Sequence, residues 1–152
     1  MQLISNVIKI TVIPVFISMI YGCATPRHYL NSNKYQITYK SSPSYATVVC
    51  NGVEMGKTPI TLSYTLDSST KATGILRTTP CIAVWRSGYK KLYSSVVNLK
   101  KLPYGASQTA IRPYGPGYKI DALYEREVDN RITEGFKTLG KILGGVGARM
   151  AH

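Results

Sequence analysis

Residues 45–59 read YATVVCNGVEMGKTP, and this stretch decides the fold. Thr47, Val48 and Val49 are β-branched and suit a pleated, half-buried strand. Asn51-Gly52 then supplies the two positive-φ positions that a type I′ turn requires, so a hairpin is expected here. Val53, Glu54 and Met55 form the returning arm, and Gly56 ends it. Pro59 has no amide hydrogen to give to a ladder, so the segment it opens starts at a sheet edge or after a kink.

Strand patterning continues on both sides of the hairpin. Upstream, Tyr35, Ile37 and Tyr39 alternate with Gln36, Thr38 and Lys40, the period of a strand with one buried face. Downstream, residues 60–64 read as a strand, residues 67–71 (DSSTK) as a loop, and residues 72–77 as a short strand. Residues 81–86 (CIAVWR) form a buried strand, Ser87-Gly88 a turn, and residues 90–99 (KKLYSSVVNL) a further strand. Several short strands separated by turn signals predict a mainly β chain folded as a small antiparallel β-sandwich.

The words Asn51-Gly52-Val53-Glu54-Met55-Gly56-Lys57-Thr58-Pro59, followed by Trp85-Arg86-Ser87-Gly88-Tyr89, resemble a PEGA-type domain. That family pairs an N-G-x-x-x-G-x-T-P hairpin with a later strand ending in a Gly-Tyr or Gly-Phe turn. The likeness covers residues 45–99, within a domain expected over 34–113, and residues 64–80 are longer and less regular than the pattern. It implies a small sandwich that serves as an extracytoplasmic binding or spacer module and not as an enzyme.

Charge divides the chain. Between Ala24 and Ile120 stand 13 basic residues and two acids, Glu54 and Asp67, a net of +11, whereas the other five acids fall between Asp121 and Glu134. Residues 101–119 carry three Pro and three Gly and read as loop, with an edge strand over 108–113. Within it Tyr104, Tyr114 and Tyr118 neighbour Pro or Gly, either as cover for one edge of the domain or as stacking surfaces beside basic residues. Residues 121–143 then show a helical period, with Tyr124, Val128, Ile132, Phe136 and Leu139 on one stripe. Asp121 suits the N-cap, Glu125 and Glu127 the early turns, Lys137 and Lys141 the later ones, and Gly144-Gly145 the stop. The stripe is expected to pack on the domain's own sheet; a partner helix, self-association or a membrane surface are the alternatives.

Residues 1–22 read as a targeting segment. The apolar run over 10–21 is 12 residues, shorter than the roughly 20 of a spanning helix. It ends in Ile20-Tyr21-Gly22-Cys23, which resembles the bacterial lipobox, with bulky Tyr21 where that pattern favours a small residue. The resemblance implies cleavage before Cys23 and acylation of its sulfur, with Ala24 after the Cys suiting the outer membrane, facing the periplasm. An uncleaved anchor helix or a plain signal peptide is the alternative. Residues 23–33 are polar and turn-prone, a tether.

With Cys23 acylated, Cys50 and Cys81 remain, and an even pair in an oxidising envelope is expected to form a disulfide; two buried thiols are the alternative. No metal site or cofactor is expected, because neither cysteine has a second Cys or His at ligand spacing. The two histidines, His28 and His152, lie in the tether and at the end, and the domain's acids are isolated, so no catalytic residues are assigned. The expected function is a non-catalytic, lipid-anchored envelope protein. Its basic domain, with Lys90, Lys91, Lys100 and Lys101 as the candidate residues, would bind anionic lipid, lipopolysaccharide, a cell-wall polymer or an envelope protein. A subunit or spacer of a secretion, conjugation or surface apparatus, docking through helix 121–143, is the second expectation. Nucleic acid is a distant third.

Overall fold

The computed structural model describes residues 28–149, so the expected signal segment, Cys23 and His152 lie outside the described residues. The chain is mostly β, with antiparallel sheets and one long C-terminal helix. A short helix, α1 (His28–Asn31), opens it where a structureless tether is expected, and its Tyr29 is buried in the core.

Strand β1 (Lys34–Ser42) carries Tyr35, Ile37, Tyr39 and Ser41 inward, the alternation read from the sequence. It is the middle of a three-stranded sheet, antiparallel to β4 (Ile60–Thr65) and parallel to β9 (Ala106–Ile111). The parallel pair departs from the expected antiparallel arrangement. A parallel pair needs a long crossover, and here the chain between β1 and β9 builds the rest of the domain.

The hairpin forms as read: β2 (Thr47–Cys50) and β3 (Val53–Lys57) flank Asn51 and Gly52, both at positive φ. The register shifts between Val48 and Val49, so Met55 is an extra residue, and Gly56, at φ 133°, takes the backbone shape of this bulge. With β6 (Cys81–Val84) and β7 (Lys90–Leu92) these strands form a four-stranded antiparallel sheet in the order β3-β2-β6-β7. Cys50 faces Cys81 across β2 and β6, and the two are joined by a disulfide.

Two expected strands are corrected. Residues 67–73 do not run from loop into strand: Ser68–Thr73 is a helical turn, α2, capped by the Asp67 carboxylate on the Thr70 amide at 2.6 Å and ended by Gly74 at φ 70°. Only Ile75–Arg77 is strand, β5. Residues 90–99 are not one strand either; they split into β7 and β8 (Val96–Asn98), and β8 pairs with β5 in a separate two-stranded sheet. Tyr93 sits at the corner. Its ring meets Tyr39 edge-on at 4.9 Å and its hydroxyl donates to the Lys40 carbonyl at 2.8 Å, which ties the corner to β1. Inward side chains of all three sheets, among them Ile37, Val48, Ala83, Leu76 and Val97, share one core.

Helix α3 (Tyr118–Arg149) starts three residues before the expected cap and runs through Gly144-Gly145. Its 32 residues span about 48 Å at 1.5 Å each. The expectation that its stripe packs on the sheet holds only near the start. Asp121 is buried and Tyr124, Glu125 and Val128 are half-buried, but residues 129–141 are all exposed.

Candidate anion-binding site

The site lies where α3 meets the outer face of the four-stranded sheet. Residues paired across antiparallel strands project to the same face, and Lys57, Thr47, Val84 and Lys90 are consecutive partners across β3, β2, β6 and β7. They form one row, its two lysines roughly 14 Å apart at the usual strand spacing. Arg86 follows at the end of β6.

Tyr124 of α3 drops onto this row. The Lys57 ammonium and the Arg86 guanidinium each lie 5.0 Å from the centre of its ring, within the range at which a cation is attracted by an aromatic face. Neither makes an ion pair among the described residues. Beside them opens a cleft of about 310 Å³, also lined by Tyr45, Thr47 and Trp85. Two uncompensated cations at an open, part-aromatic cleft are chemically suited to attract an anionic group, because the ring fixes the cations without neutralising them.

The helix is held in place by carboxylates at one-turn spacing, on the face it turns toward the domain. Asp121 Oδ1 accepts from the Ser87 amide at 2.8 Å; its Oδ2 accepts from the Ser87 hydroxyl at 2.7 Å and lies 2.5 Å from Arg112 Nε, an ion pair in which the N–H is not aligned as a hydrogen bond. The other guanidinium nitrogens donate to the Pro113 and Pro116 carbonyls, and the group is stacked between Tyr89 and Tyr118 at 4.9 and 5.5 Å. One turn on, Glu125 accepts from the Ser44 amide at 2.9 Å; another turn on, Asp129 accepts from the Tyr45 hydroxyl at 2.5 Å. That bond, more than burial or the neighbouring charges of Asp129 and Glu125, raises the Tyr45 phenol above its ordinary pKa. Tyr45 adopts φ 64°, unusual for a residue with a side chain. Its amide donates to the Thr58 carbonyl, so the strained residue is tied at both ends.

Of the lysines expected to bind anions, Lys90 ends the row that carries the cleft. Lys91 points to the opposite face, opposite buried Ala83, where a charge on an edge strand discourages further strand pairing. Lys100 and Lys101 lie in the turn after β8, with the Lys100 stem against Gly74, and do not belong to this cleft. Tyr104 and Tyr114 are exposed, and Tyr118 serves the Arg112 stack. Sequence reasoning placed Tyr124 on the apolar stripe of the helix and gave Lys57 and Arg86 no binding role. Its missed signal was the spacing of Asp121, Glu125 and Asp129, acids on one helical face in a chain whose domain is strongly basic.

Among the described residues no group of three His, Cys, Asp or Glu could hold a metal, and no helix is long and apolar enough to cross a membrane. No family model matches the chain, and no curated protein or solved structure matches it.

Proposed function

We propose that this is a non-catalytic envelope protein, held at the outer membrane by an acylated Cys23, whose basic β domain binds an anionic envelope component at the Lys57–Arg86–Tyr124 cleft. The bound group would be a phosphate or carboxylate of lipopolysaccharide, anionic lipid or a cell-wall polymer. The observation that carries this is the convergence of Lys57 and Arg86 on one tyrosine ring, unpaired, beside an open cleft. The net of +11 over residues 24–120 adds the long-range attraction. We also read the domain as a PEGA-like sandwich. The Asn51-Gly52 hairpin, Gly56 in its bulge and Gly88 in the turn after Trp85 support that assignment.

The test is binding of the whole chain in detergent to lipopolysaccharide and to cell-wall fragments. Lys57→Ala with Arg86→Ala is expected to weaken binding roughly tenfold per cation lost, whereas Lys100→Ala with Lys101→Ala changes it little. Binding should also fall steeply as salt is raised. Binding that ignores both the Lys57/Arg86 change and salt would reject the site.

A second proposal, an assembly subunit or spacer of an envelope apparatus, is favoured by the uncovered outer part of α3. Cross-linking in intact membranes distinguishes it: a discrete partner protein lost on truncation after Asp129 supports assembly.

A further inference from the structure

The outer half of α3 leaves the domain with an apolar face on which nothing packs among the described residues. Ile132, Phe136 and Leu139 are 45, 70 and 56% exposed. At about 100° per residue they fall within some 60° of one another, on the side of the helix that carries Asp121 and Val128 against the domain. Lys137 and Lys141 fall on the far side. Gly135 and Gly140 each weaken the helix relative to Ala. Helices in proteins draw most of their stability from burying an amphipathic face, so this segment is built for a surface that covers it.

Charge selects the surface. From Ile132 to Arg149 the chain carries Lys137, Lys141 and Arg149 against Glu134, a net of +2, and Glu134 is spent on Lys137 at 2.8 Å. A second copy would bring a net of +11 over its residues 24–120 and another arm of the same sign against it. An anionic bilayer offers the opposite sign and an apolar layer just beneath its headgroups. The arm has the composition of a helix that lies in that interface, with basic residues on one face and Ile, Phe and Leu on the other. It is also not apolar enough to cross.

We propose that residues 132–149 of α3 form an interfacial membrane-binding arm that inserts Ile132, Phe136 and Leu139 into an anionic lipid surface. This goes beyond the cleft and holds whether or not the cleft binds its anion. The arm adds a second attachment to any N-terminal lipid, and it fixes the orientation of the domain through the Asp121, Glu125 and Asp129 pegs.

The test places a reporter on the arm itself. The full chain carrying Phe136→Trp is reconstituted into phosphatidylcholine vesicles with or without phosphatidylglycerol, each containing brominated lipid, and the parent spectrum from buried Trp85 is subtracted. Quenching of the introduced indole is expected in the anionic vesicles. Lys137→Glu with Lys141→Glu is expected to raise the phosphatidylglycerol needed for half-maximal quenching by about tenfold or more. Absence of quenching in both lipids overturns the proposal, and so does equal quenching in both. A concentration-dependent blue shift without vesicles would show that a second copy covers the face and would also overturn it.

Discussion

Arg112 and Asp121 are each about 1% exposed, and together they set where the helix leaves the domain. A buried pair of this kind stabilises little relative to apolar packing, but removing one member strands the other charge. Asp121→Ala is therefore expected to cost about 3–5 kcal/mol in chemical denaturation, with Arg112→Ala similar. Asp129→Ala, which removes one exposed bond to Tyr45, should cost about 1 kcal/mol or less. A second residue-scale effect is alkaline. Burial pushes the Tyr93 phenol up from 10.0 to about 12, and burial with the Tyr39 hydrogen bond raises Tyr64 as well. A raised folded pKa means the unfolded chain loses its proton first. The stabilisation is then whole below pH 10.0 and is lost as the pH rises toward about 12. Denaturation midpoints should fall across that window, and Tyr93→Phe should flatten the fall while lowering stability at neutral pH.

At the scale of elements, the disulfide ties β2 to β6 across 31 residues of chain. Its loss through Cys50→Ala with Cys81→Ala is expected to cost roughly 3–4 kcal/mol in the chain-entropy description, read as a lower denaturant midpoint. In α3, a methyl at Gly135 or Gly140 would meet nothing within 4 Å. Each Gly→Ala change should raise helicity, by about 1 kcal/mol of helix propensity, without disturbing the domain. The hairpin was legible because Asn51-Gly52 leaves few backbone choices, and β1 was legible because Tyr35, Ile37 and Tyr39 keep period two for its length. The split of residues 90–99 was not. Tyr93, Val97 and Leu99 share one parity and all are buried, so alternation alone cannot show that the chain changes sheets at Ser94-Ser95. Likewise the period of α3 reveals an apolar stripe but not what covers it, because the turns on the domain and the turns beyond it repeat the same spacing. The cleft was hidden for a related reason: Lys57, Arg86 and Tyr124 are far apart in sequence, and only strand register and the pegs on α3 bring them together.

For the whole molecule, the two proposals share one physical basis: a basic domain, an unpaired cation site and a helical arm of the same sign would all be attracted to an anionic surface. Location decides which anions are within reach, and an oxidising compartment is also what would keep Cys50 and Cys81 joined. The proposal that gives the chain this location is acylation of Cys23. The direct measurement is the intact mass of the N-terminal peptide of the protein purified from membranes. A peptide beginning at Cys23 and carrying about two or three acyl chains is predicted. A peptide that retains Met1, or one with an unmodified Cys23, would contradict it.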